Sequence, residues 1–298
     1  MLLTNMAEFP DNPENVSKEW LHKTLVESLK VENIEILELK PIISKGYVSQ
    51  ALKATIKVNE SNPEKLFIKM NVSDNSKLTH LGKHGIYEME IRAYQEILPA
   101  LIKYDIEKFG ESKLKTLIPK CFAGNHSDEG GIYRFFLILE DLSDDYFTFF
   151  NYSGEAKVEC QAPDMNFHVK CLESIAYFHA LSYSYGQVNS KDYTEFPIIV
   201  KNVFVEKVEE IKRNLILLKD DMNMLGSDIQ MNEALSNLEK CPEDILPKYL
   251  DLANSKFLCH CDYWSGNVMM HNENKDCKYI LIFYLIVEIR INPEKVPN

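Results

Sequence analysis

Asp262 and Asn267 lie five residues apart in the stretch Phe257-Leu258-Cys259-His260-Cys261-Asp262-Tyr263-Trp264-Ser265-Gly266-Asn267-Val268-Met269-Met270. Two short apolar segments flank a polar loop that carries a histidine, an aspartate and an asparagine. In phosphoryl transfer, an aspartate on such a loop accepts the proton of the attacking hydroxyl, and an asparagine further on turns back to the metal that bridges the phosphates. Aspartate and asparagine are also common turn formers, so the spacing by itself leaves both readings open.

The elements that must position this loop follow from the apolar periodicity. Ser17 can cap a helix in which Trp20, Leu21, Leu25 and Leu29 recur at helical spacing, with Glu19 in its first turn. Strands are predicted at 34–39, 51–58 and 66–70, separated by turn-forming residues at 44–46 and 59–63, which suggests an antiparallel sheet. The helix predicted over 86–101 places Tyr87, Ile91, Tyr94 and Leu98 on one face, with Pro99 marking its end. Glu90 lies among these apolar residues, where a carboxylate needs a partner. The uniformly apolar segment 132–139 reads as a central strand. Beyond Asp145 the periodicity turns helical, at 166–183, 203–218 and 243–252, and His179, on the face of Val169, Leu172 and Ala176, reads as a structural histidine. Strands followed by helices predict an α+β protein of two lobes, divided after Glu140-Asp141-Leu142.

The 257–270 loop is similar to the His-Gly-Asp-x-Trp-x-x-Asn loop of the ecdysteroid-kinase-like (CHK) family, a branch of the aminoglycoside phosphotransferase and choline kinase group, and Trp264 fits the narrower family. Leu139-Glu140-Asp141-Leu142 resembles the family's hinge motif, and Ala176-Tyr177-Phe178-His179-Ala180 resembles a helix of its larger lobe. The resemblance implies a protein-kinase-like fold, with residues 1–142 as the N-lobe and 143–298 as a partial C-lobe holding the catalytic loop at 259–270. It implies ATP and Mg²⁺ as cofactors and a hydroxyl on a small lipophilic molecule, steroid-like or dietary, as phosphate acceptor. Asp262 would be the catalytic base and Asn267 a metal ligand. Lys69 would hold the α- and β-phosphates and pair with Glu90. Gly46 and Ser49, in Ser44-Lys45-Gly46-Tyr47-Val48-Ser49, would contact the nucleotide from a phosphate-covering loop, and Glu140 and Leu142 would contact it at the hinge. On its own, the 44–49 segment reads first as a simple hairpin turn using Gly46.

The sequence departs from the family at two places. Cys261 replaces the glycine between the histidine and aspartate, adding a side chain in a tight loop. After Lys278-Tyr279-Ile280-Leu281-Ile282, where the family has Asp-Phe-Gln, stands Phe283-Tyr284-Leu285. Loss of that metal-binding aspartate predicts very low kinase activity. It leaves two alternatives: a pseudokinase that binds a ligand, or a truncated product without function. A C-lobe ending here would expose core and favour chaperone association.

Composition narrows the remaining classes. The formal charge of −12 with scattered lysine and arginine argues against nucleic-acid binding. The N-terminus has no export signal, so a cytoplasmic location is expected, and the seven cysteines then read as free thiols. Cys259, Cys261 and Cys277 with His260 and His271 lack the paired spacing of a zinc site. The apolar run 279–291, broken by Glu288 and Arg290, is shorter than the roughly 20 residues of a membrane span and reads as a strand.

Overall fold

The computed structural model describes residues 9–10, 15–42, 50–70, 85–129, 132–144, 146–147, 165–190, 216–220, 233, 236, 257–259, 267–271, 279–281 and 287–289. Helix α1 (Lys18–Leu29) begins as its sequence requires, with Ser17 Oγ accepting the Trp20 N–H at 3.0 Å. Strands β1 (Ile34–Ile42), β2 (Gln50–Val58) and β3 (Glu64–Met70) form a meander, joined by β5 (Ile132–Glu140) and β4 (Cys121–Glu129) in a five-stranded antiparallel sheet of order β1-β2-β3-β5-β4.

Strand alternation divides this sheet between two cores. Leu52, Ala54, Ile56, Leu66, Ile68, Met70, Phe136 and Ile138 pack against Trp20, Leu21 and Leu25 of α1. The Trp20 and Phe136 rings meet edge to face with centroids 5.1 Å apart. Phe135, Leu137 and Leu139 point the other way, into a second core with the helix that follows β3. Lys69 lies between Ile68 and Met70 in sequence, so alternation turns it to this second face.

That helix corrects the reading of Pro99. Helix α2 (Ile86–Arg92) passes through a π-helical turn (Ala93–Ile97) directly into α3 (Leu98–Phe109), which ends at Gly110 with φ 85°. Pro99 sits in the first turn of the new α-helical register, where the shift leaves its missing N–H without cost. A π turn inserted just before a proline lets the helix continue. Strand β4 goes beyond the sequence expectation, because its residues Gly124, Asn125, Ser127 and Asp128 read locally as turn formers; pairing with β5 overrides that preference.

Helix α4 (Met165–Val188) extends the predicted 166–183 segment, but its buried face is Cys171, Ser174, Phe178, Leu181, Ser182 and Tyr185. Val169 and Leu172 are exposed, so the face assigned from periodicity is rotated away from the core. Leucine and valine mark an apolar surface without saying which neighbour covers it. Of the predicted helix 203–218 only its end falls within the described helical residues 216–220, and 243–252 lies outside the described residues. Short strands complete the chain: β6 (Tyr146–Phe147), β8 (Val268–His271) and β9 (Tyr279–Leu281) form one sheet, β7 (Phe257–Cys259) and β10 (Val287–Ile289) another. Two strands thus occupy the apolar run 279–291. Among the described residues no helix is long and apolar enough to cross a membrane.

Candidate active site

Lys69 and Glu90 form the ion pair expected of them. The Lys69 ammonium donates to both Glu90 carboxylate oxygens at 2.7 Å, with the side chains 9% and 3% exposed. A two-pronged contact of this kind keeps both charges satisfied at a depth where either alone would be costly. The Phe135 ring centroid lies 5.9 Å from the ammonium, and Tyr87 stacks on that ring at 4.1 Å and 11°. The Tyr87 hydroxyl is buried without a hydrogen-bond partner, and burial, with the nearby Glu90 charge second, pushes its pKa well above the usual phenol value. The pair therefore lies beside a stacked pair of aromatic rings.

Gly124, to which local sequence pattern gives no special role, lets the Glu90 helix approach the sheet. A Cβ there would lie 3.0 Å from Leu137 Cδ1 and 3.4 Å from Ile91 Cγ2, and Gln95 Nε2 donates to the Gly124 carbonyl at 2.7 Å. This close approach of helix and strand holds Glu90 within reach of Lys69.

The segment after β5 is bound to the sheet by two lysines that sequence motifs do not single out. Lys53 Nζ lies 2.7 Å from Asp141 Oδ2 and also donates to Ser143, Lys65 pairs with Asp144, and the Asp141 N–H donates to the Lys65 carbonyl at 2.9 Å. The Lys65 ammonium lowers the pKa of the Asp144 carboxyl. Alternation along β2 carries a signal for Lys53, since it opposes the face of Leu52 and Ala54. Glu140 is exposed; its carboxylate accepts the Lys120 N–H at 3.1 Å and its own N–H donates to the Lys120 carbonyl at 2.8 Å. Leu142 is half-buried just beyond it.

Asn267 is 3% exposed at the start of β8. Strand β7, which enters the loop before it, is pinned by α4: the Leu258 N–H donates to Ser182 Oγ at 3.1 Å, and that hydroxyl donates to the His179 carbonyl at 2.9 Å. β9 pairs with β8, setting Leu281 opposite Val268. Asp262, Gly46 and Ser49 lie outside the described residues. Among the described residues no group of three or more His, Cys, Asp or Glu is placed to hold a metal ion.

A second buried carboxylate, Asp105 on α3, likewise goes unmarked by local pattern. It accepts from Ser112 Oγ at 2.8 Å, the Leu114 N–H at 3.1 Å and Tyr177 Oη at 2.5 Å, while Tyr104 Oη meets Ser184 Oγ at 2.8 Å. These contacts tie the Glu90 helix to α4, the same helix that pins β7.

Two comparisons with known proteins bear on this arrangement. The chain is 22% identical over 265 residues to the Caenorhabditis elegans protein described as "Uncharacterized oxidoreductase dhs-27", covering 84% of this chain. It spans only 29% of that relative's length. The model of the ecdysteroid kinase-like family matches residues 44–284, taking in Lys69, Glu90, Asp262 and Asn267, and the chain belongs to the ecdysteroid kinase-like family, within the protein-kinase-like superfamily.

Proposed function

We propose that this chain has the two-lobed architecture of an ATP-dependent phosphotransferase, dividing near residue 142, and that its reaction is transfer of the γ-phosphoryl group to a hydroxyl of a small lipophilic molecule. The observation that carries this reading is the buried, two-pronged Lys69–Glu90 pair, joining a sheet strand to the helix beside it. A lysine held in this way presents a fixed positive charge to the α- and β-phosphates, and its carboxylate partner prevents it from swinging away. Lys53, Asp141 and Ser143 fasten the segment that would flank the base. Asp262 would accept the acceptor hydroxyl's proton. Asn267 offers an amide oxygen, the donor type a hard cation takes, and would hold Mg²⁺. Such an ion would supply positive charge to the phosphates during transfer.

A second reading rests on Phe283, outside the described residues, which follows Ile282 where the family's other metal-binding aspartate is expected. With one metal carboxylate missing, the chain would bind nucleotide and turn it over slowly or not at all. Equilibrium binding of a fluorescent ATP analogue, with and without Mg²⁺, and transfer of labelled γ-phosphate to a panel of lipophilic alcohols separate the two. Phosphotransfer abolished by Asp262→Asn, with nucleotide binding weakened about tenfold or more by Lys69→Met, supports the enzyme. Metal-independent binding without transfer supports the pseudokinase. Absence of nucleotide binding overturns both.

A further inference from the structure

Behind the segment that ends β5, a cavity of about 780 Å³ opens between α3 and the stretch that leads into β4. Its floor is apolar: Tyr94, Pro99, Ile102, Ile106 and Ile118 line it. Ile106 is 44% exposed. The Cys121 thiol in its wall has its pKa pushed up to about 12 by burial, so that wall is uncharged at neutral pH. The rim, by contrast, carries Lys103, Lys115 and Lys120 against Glu107 and Glu140. Lys103 lies 3.8 Å from Glu107 and Lys120 lies 3.0 Å from Glu64, whereas Lys115 has no carboxylate partner among the described residues. An apolar floor of this volume with a cationic edge matches a small amphiphile and falls within the range of small-molecule pockets.

We propose that this cavity binds a small lipophilic carboxylate, its hydrocarbon body against Ile102, Ile106 and Ile118 and its carboxylate at Lys115. The site is separate from the Lys69–Glu90 pair and does not depend on the phosphotransferase reading. Glu140 lines the cavity and is held to the Lys120 backbone, its carboxylate accepting the Lys120 N–H and its own N–H donating to the Lys120 carbonyl. Titration calorimetry of the full chain with sodium dodecanoate, kept below its micelle concentration, tests the proposal. Saturable binding at one site is expected, weakened about tenfold or more by Ile106→Glu through burial of charge in the floor. Lys115→Ala should weaken it about two- to fivefold, with dodecanol weaker than dodecanoate by a similar factor. Both substituted residues are exposed, and unchanged melting curves of the variants verify that the fold is intact. No binding of dodecanoate, or binding indifferent to both substitutions, overturns the site; equal binding of dodecanol overturns the assignment of the carboxylate to Lys115.

Discussion

The continuous helix 86–109 buries two carboxylates, and it treats them differently. Glu90 is met by a lysine ammonium in two-pronged contact, and Asp105 by a serine hydroxyl, a tyrosine hydroxyl and a backbone N–H. Both are nearly or completely shielded, at 3% and 0% exposure. Neutral donors that come from the following turn and from α4 give Asp105 a fixed geometry, suited to fastening one element to another. A full positive charge opposite Glu90 costs more to bury and is a less economical way to fasten a helix, since hydrophobic replacements of buried ion pairs are often as stable. Under the proposed function the Glu90 pair would hold Lys69 for the phosphates, whereas the Asp105 cluster suits fixing where the helix sits.

The sharpest way to break this comparison is to remove one charge at each place. Lys69→Ala leaves the Glu90 carboxylate buried and unpaired, and a loss of about 3–5 kcal/mol in urea unfolding is expected. The double variant Lys69→Met with Glu90→Leu should recover most of that stability. If the double variant is as unstable as Lys69→Ala, the pair is a structural fastener after all. Asp105→Ala should cost about 2–3 kcal/mol by orphaning buried donors, and Asp105→Asn, which keeps an acceptor oxygen, clearly less. Equal losses from the two Asp105 variants would mean that its charge, and not its accepting oxygens, holds the cluster together.

The α4 contact with β7 extends the comparison toward the candidate catalytic loop. Ser182→Ala removes the acceptor of the Leu258 N–H and should cost about 1–2 kcal/mol, with faster amide exchange at Leu258 than at residues of β3. Uniform exchange across both strands would show that Ser182 does not hold β7 locally. The smallest expected effect is at His179. Burial lowers its pKa in the folded chain, so the unfolded state takes up a proton first as the solution is acidified. Its contribution is fully present above the ordinary histidine value of about 6.5 and declines as pH falls from there toward the lowered folded value. His179→Gln should flatten the stability profile over that window; an unchanged slope would assign the acid sensitivity to other groups.

Much of the candidate site is legible in the amino-acid sequence. Glu90 stands out because a carboxylate on an apolar helix face requires a partner, and the resemblance to the family implies Lys69 as that partner. Asp105 does not stand out, because a charged residue in an amphipathic helix usually faces solvent, and nothing in its own neighbourhood marks it as buried. Gly124 is inconspicuous for a related reason: its small size matters to Leu137, Ile91 and Gln95, which reach it from another strand and from the helix.

The amino-acid sequence by itself determined the features whose physics is local. The Ser17 cap and the alternation that turns Lys69 away from Ile68 and Met70 depend on residues within a few positions of one another, and the meander of β1 to β3 on segments that follow one another directly in the chain. Tertiary structure alone decided that the helix would run through Pro99, that the turn-like residues of β4 would become a strand, and that α4 would bury Phe178 and Ser182 while exposing Leu172. It also decided which donors would meet Asp105. Each of these depends on whether a distant segment supplies the missing hydrogen bond or covers the apolar surface. Local propensity differs between such alternatives by less than the packing and hydrogen-bond energies that choose between them.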